Sequence, residues 1–201
     1  ADLTSEIRGG VAGVPLPPLE LDETLSALGF VSQYDSRDSI WAAHEGNYFE
    51  LAYNRYDERW GSDRDYNLVT TFYNHYFTLA EPLVLGIRAK GDFSNGDVPY
   101  YALPSLDLRG FPSTRYRDNN AMSAQAEFRW QFKPRWGAVF FGGVGKVYDE
   151  WSNFTSASNI PAGGAGIRWL AAKKEGINLA FDVAKGAGTD VVWYFRIGEE
   201  F

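Results

Sequence analysis

Polarity in this chain alternates with a period of two over runs longer than an ordinary strand. In AMSAQAEFRW, Met122, Ala124, Ala126, Phe128 and Trp130 fall on one side, and Ser123, Gln125, Glu127 and Arg129 on the other. INLAFDV separates Ile177, Leu179, Phe181 and Val183 from Asn178, Ala180 and Asp182. LVLGIRAK separates Leu83, Leu85, Ile87 and Ala89 from Gly86, Arg88 and Lys90. Such alternation belongs to strands with two unlike faces, because a helix would group residues three and four apart. It predicts about nine strands, at 25–35, 47–57, 65–78, 82–93, 120–132, 136–149, 161–171, 176–184 and 190–200. Strands of soluble sheets mostly run about five or six residues, whereas a tilted strand needs roughly ten to cross a bilayer. The connections alternate too: LAEP, FKPR and KKEG are short, while the intervals near 57–65, 94–119 and 149–160 are longer. Short turns at one rim and long loops at the other are expected of a transmembrane barrel. The fold expected is therefore all-β, a transmembrane antiparallel β-barrel over residues 25–201 with about 8–9 strands per chain. Residues 1–24 form a separate segment whose Pro15, Pro17 and Pro18 are unsuited to a central strand.

Alternation alone leaves open which face points outward, since a soluble lipocalin-like barrel shows the same period with the faces exchanged. The aromatic residues favour the membrane arrangement. Seven Trp, twelve Tyr and fourteen Phe are present, with Tyr48, Tyr53, Tyr56, Trp60, Tyr66, Tyr73, Tyr76, Trp130, Trp136 and Trp193 near strand ends, where interfacial girdles lie. Membrane lipid is accordingly an expected partner. A net charge of -7 argues against nucleic acid, which is bound by concentrated Lys and Arg. The absence of cysteine excludes disulfides and thiolate metal sites, and two histidines without metal-binding spacing give no reason to expect a metal. No GxSxG or other catalytic grouping occurs, and FGGVGK lacks the spacing of a phosphate loop, so neither an enzyme nor a cofactor is expected.

One long interval is unusually charged. LRGFPSTRYRD, residues 108–118, holds Leu108, Arg109, Gly110, Phe111, Arg115, Tyr116, Arg117 and Asp118. The last nine residues, WYFRIGEEF, set Trp193, Phe195 and Ile197 against Tyr194, Arg196 and Gly198 and end on Phe201. These motifs, with YDSRD (34–38), GDVPYYALPSL (96–106), AQAEFRW (124–130), VFFGGVGKVYD (139–149) and AGIRWL (165–170), occur in an order that resembles the C-terminal half of the BamA/TamA superfamily of outer-membrane assembly and translocation barrels, the bacterial surface antigen family.

The resemblance implies a bacterial outer-membrane location and a role in inserting or transporting polypeptides, with clients or assembly machinery as partners. A passive pore or membrane anchor is the alternative. It implies that Trp193, Phe195, Ile197, Gly198 and Phe201 form a C-terminal insertion signal. It further implies that loop 94–119 folds into the barrel and that Arg109 meets an acidic residue, with Glu127 or Asp182 as candidates, because the family's other acidic position falls here on Gly143. Arg129 and Arg168 are expected beside them in the lumen. For Arg115, Arg117 and Asp118, lumen contacts and surface ion pairs remain open alternatives. The family barrel has sixteen strands, and one of eight or nine is too narrow for such a loop. Three readings follow: a fragment of a longer chain, half of a sixteen-stranded barrel completed by a second chain as a homodimer, or a loop that stays outside.

Overall fold

The computed structural model describes the backbone of residues 2–200 apart from 8–9, 12–13, 16–18 and 113, and side chains from Glu23 onward. Thirteen strands are assigned among the described residues: β1 (Asp2–Ile7), β2 (Gly10–Val11), β3 (Val14–Pro15), β4 (Leu19–Thr24), β5 (Ala27–Asp35), β6 (Gly46–Tyr56), β7 (Tyr66–Ala80), β8 (Leu83–Gly96), β9 (Asn120–Lys133), β10 (Trp136–Tyr148), β11 (Ile160–Ala172), β12 (Ile177–Gly186) and β13 (Val192–Ile197). Strands β5 to β13 form one nine-stranded sheet in sequence order, and every neighbouring pair is antiparallel. β1 pairs with β4 and β2 with β3 in two separate ladders, so Pro15 lies outside the large sheet.

Register fixes which residues share a face. Phe128 lies opposite Phe140 and Leu85, and Phe181 opposite Ile167 and Phe195, forming an apolar outer surface. On that surface Phe140 is 55% exposed and Phe195 76%, whereas Glu127 and Asp182 on the other face are fully buried. Large apolar groups outside and charges inside are the inverse of a soluble barrel, which settles the orientation that alternation leaves open.

The sheet is not closed: β5 and β13 are its two ends and do not pair. Eight successive antiparallel pairings leave β5 and β13 running in the same direction. We call the rim with the turns at 81–82, 134–135 and 173–176 the lower rim; β13 ends there, and the opposite rim carries the long loops. The chain enters β5 from the upper rim. Thr24 N–H donates to Asp63 Oδ2 at 2.7 Å, and Arg64 Nε to Glu23 Oε1 at 2.6 Å, tying this entry to the 57–65 loop.

Candidate functional site: an inward loop on two carboxylates

Residues 97–119, between β8 and β9, bend over the concave face. The segment is internally braced. Leu106 N–H donates to Tyr116 O at 2.9 Å, Ser105 bridges Arg117, and Asp118 N–H donates to Pro104 O at 3.2 Å. A tight turn at its tip, with Phe111 N–H reaching Leu108 O at 3.4 Å, projects Arg109 into the lumen. Gly110 sits there at φ 112°, a conformation that L side chains rarely adopt. A Cβ at Gly110 would also approach Gly186 N to 2.8 Å.

Leu106, Leu108, Phe111 and Ile160 form a buried apolar cluster against Tyr116, Val147 and Ala162. The sheet makes room for it with glycines on its inner face. A Cβ at Gly186 would lie 2.1 Å from Phe111 Cζ, and one at Gly143 would lie 2.7 Å from Leu108 Cδ1. A side chain at Gly143 would meet Ala124 O and Gln125 Cγ on β9 as well as Leu108, each at 2.7 Å, so its absence suits both the strand pairing and the docked loop. The acid that the resemblance would place there would collide with Leu108.

Arg109 spans two carboxylates. Its Nη2 donates to Glu127 Oε2 at 2.5 Å and its Nη1 to Asp182 Oδ2 at 3.1 Å. The guanidinium also stacks 3.5 Å over the centroid of Phe141 on β10. Thus Glu127 and Asp182, the alternatives left by the sequence, are both used. Each carboxylate holds further cations: Arg129 Nε reaches Glu127 at 2.8 Å, Arg168 Nη1 reaches Asp182 at 2.5 Å, and Arg196 also contacts Asp182. The network continues downward, with Arg168 Nε donating to Glu199 Oε2 at 2.6 Å and Arg196 Nη1 2.7 Å from Glu200 Oε2. Every ion in it has a counter-ion, as charges held out of water require.

The remaining charged residues of the loop behave differently. Arg115 is exposed and donates to Gly188 O at 2.8 Å, while Arg117 lies 5.9 Å from the Tyr100 ring centroid, so neither joins the two carboxylates. Tyr116 packs edge-on to Phe111 at 5.1 Å. Lys90 pairs with the loop through Asp107 at 3.1 Å. The C-terminal motif divides between two environments: Trp193, Phe195 and Ile197 are 63%, 76% and 68% exposed on the outer face, whereas Gly198 turns inward at φ 90°. Phe201 lies outside the described residues.

Sequence reasoning missed three contributors. Phe141 supplies the ring under Arg109; Tyr194 Oη accepts the Gly110 N–H at 2.9 Å; and Thr189 Oγ1 donates to Gly110 O at 3.1 Å. Alternation places Phe141 and Tyr194 on the inner face, where Phe141 pairs with Glu127 and Gly164 and Tyr194 with Asp182, and an aromatic residue on the polar face was the available signal. Of the three readings left open for the loop, the one that keeps it outside is not what the structure shows. Because the sheet stays open, the loop fits within its concavity.

An antiparallel sheet with an apolar outside, a charged inside and an arginine-tipped loop folded over its inner face defines an outer-membrane-type barrel. The Omp85 superfamily domain matches residues 19–201, and the chain belongs to that superfamily. Among solved structures it is similar to BamA from Haemophilus ducreyi, a crystal structure lacking POTRA domains 1–3, with a TM-score of 0.71 and 16% identity. That match covers 92% of this chain and 44% of the BamA chain, so this chain spans less than half of the protein it resembles. No curated protein matches it.

Proposed function

We propose that this chain supplies half of an outer-membrane barrel that inserts or transports polypeptides, the half that resembles the C-terminal part of the family barrel, with the periplasm at its lower rim. The observation that carries this reading is the docking of Arg109 on Glu127 and Asp182 inside a sheet of the Omp85 class. A buried ionic lock of this kind sets the position of a loop more than it adds net stability. In a lumen that polypeptides must enter or pass, loop position controls the free space. A passive pore fits less well, because loop 97–119 and the segment between β5 and β6 both occupy the lumen. The outer face, with Phe128, Phe140, Trp130 and Phe195 all more than 40% exposed, suits contact with lipid.

The two sheet ends carry unpaired backbone groups, which cannot face hydrocarbon. A second copy, with its β13 against the β5 of the first, would satisfy both ends in a homodimer with two parallel seams. Particle mass after detergent extraction tests this part: two chains per particle are expected, and one chain refutes the homodimer. The function is tested by reconstituting the protein in lipid vesicles and following both insertion of an unfolded outer-membrane protein and leakage of a small solute. Client insertion above empty vesicles, lost on Arg109→Ala, is the expected result. Solute leakage without insertion would overturn the reading in favour of a pore.

A further inference from the structure

The connection between β5 and β6, SRDSIWAAHE at 36–45, lies at the lower rim, where the other turns are short. It turns into the lumen. Its shape is held by Asp38, whose Oδ1 accepts the N–H groups of His44 at 2.8 Å and Glu45 at 3.2 Å, with the His44 ring 3.5 Å from the other carboxylate oxygen. Ala43, 5% exposed, packs on Tyr76, and its carbonyl accepts from Arg129 Nη1 at 3.0 Å. Arg129 is the same residue that holds Glu127 beneath Arg109.

On the far side the segment meets the end of β13. Glu199 N–H donates to Trp41 O at 3.3 Å, and Gly198 abuts the Trp41 ring. The tail is itself anchored across the lumen, with Glu199 held by Arg168 and Asn178, and Arg88 Nη2 donating to Glu200 O at 3.0 Å. Two cavities of about 540 and 360 Å³ border the segment, both lined by Ala43 and Glu199.

We propose that residues 36–45 are a plug for the lower mouth, clamped by Arg129 and latched to the residues following β13, so that movement of that tail and unseating of the plug are one event. The tail supplies both the backbone donor to Trp41 and, through Glu199 and Glu200, the charges that fix its own position. If Glu199 and Glu200 lose their arginines, the Trp41 contact goes with them, and the segment is left with Arg129 on Ala43 O, the packing of Ala43 on Tyr76, the Thr78 hydroxyl on His44 O and its own Asp38 brace. The proposal concerns the mouth alone and holds whether or not the barrel handles polypeptides.

The chain has no cysteine, so single reporters are unambiguous. Ala43→Cys and His44→Cys are reconstituted separately and treated with a membrane-impermeant maleimide. His44 is exposed and should react freely, with Ala43→Cys slower by about tenfold or more, as expected where access requires local opening. Adding Glu199→Gln and Glu200→Gln should accelerate Ala43→Cys labelling by about tenfold, on the scale of one lost charge-assisted hydrogen bond, and leave His44→Cys unchanged. Asp38→Ala, which acts within the segment and leaves the tail intact, is expected to accelerate it as well; if the double variant fails to fold, Glu199→Gln alone tests the latch, with the same direction expected. Equal labelling at the two positions shows that no plug exists. Protection of Ala43→Cys that is unaffected by loss of the tail charges shows that plug and tail are not latched. Either result overturns the proposal, and neither depends on an insertion assay.

Discussion

Replacing Arg109 by alanine should weaken the folded protein and release the inward loop, and the size of the effect follows from what remains. Arg109 is 4% exposed and touches two fully buried carboxylates. Breaking a buried pair from one side ordinarily costs about 3–5 kcal/mol, because a charge is left without a partner. Here Glu127 retains Arg129, and Asp182 retains Arg168 and Arg196, so neither carboxylate is orphaned. The loss reduces to two charge-assisted hydrogen bonds, a cation–π contact and a cavity. That places the expected cost at the lower end, about 3 kcal/mol. Arg109→Lys keeps the charge but loses the two-pronged geometry, and should cost about half as much. Equilibrium unfolding in detergent micelles gives the stability. Limited proteolysis within 97–119 reports the loop itself, whose accessibility should rise in Arg109→Ala. Unfolding of Arg109→Ala within about 0.5 kcal/mol of the parent, the scatter of ordinary surface changes, together with a loop that stays protected, would contradict a docked role for Arg109.

Gly143→Asp restores the acid that the resemblance led us to expect, yet the collision with Leu108 should make it destabilising by about 1–3 kcal/mol, seen as a lowered unfolding midpoint. Gly186→Ala should act similarly by pushing Phe111 out of its seat, and Phe111→Ala should relieve that clash, giving a strongly non-additive double-mutant cycle. Phe195→Lys on the outer face should cost up to about 4 kcal/mol in a bilayer, falling toward zero if the position lies at the interface, measured by refolding into lipid vesicles. For Asp38, burial pushes the carboxyl up, but the N–H groups of His44 and Glu45 and the nearby His44 ring outweigh it and hold it below the ordinary value. Its brace should therefore persist from neutral pH down to about 4 and fail only as pH falls further, and Asp38→Asn should remove that part of the acid response of Ala43→Cys labelling.

How far the chain was legible depends on how strongly local pattern determined each feature. The strands were readable because the two faces differ sharply: the expected 120–132 and 136–149 compare with Asn120–Lys133 and Trp136–Tyr148. Which face turns outward could not come from the period, which is the same for either choice; the aromatic residues near strand ends pointed to the membrane arrangement, and the burial of Glu127 and Asp182 decides it. Arg109 with its candidate carboxylates was accessible through the motif, while the use of both was not, because Asp182 lies 73 residues away and reaches Arg109 only through the curvature of the sheet. The plug escaped notice for a plainer reason. Nothing in SRDSIWAAHE alternates, its anchoring groups are mostly backbone carbonyls, and a carbonyl such as Ala43 O carries no mark of its partner in the sequence.

Loop 97–119 lies inside the sheet with its tip on β10 and β12. An oxidative cross-link tests it most directly. The Cβ of a residue placed at Gly143 would sit 2.7 Å from Leu108 Cδ1 and as close to Ala124 O, so once the Leu108 side chain is shortened to cysteine a disulfide between Leu108→Cys and Gly143→Cys comes within reach after a small shift of β10 away from Ala124. The neighbouring-strand pair Ala126→Cys and Gly142→Cys provides a control for oxidation. In membrane-embedded protein the 108–143 bond should form rapidly, and its selectivity should be lost when Arg109→Ala is added. No 108–143 cross-link under conditions where the control pair oxidises fully would contradict the docked loop.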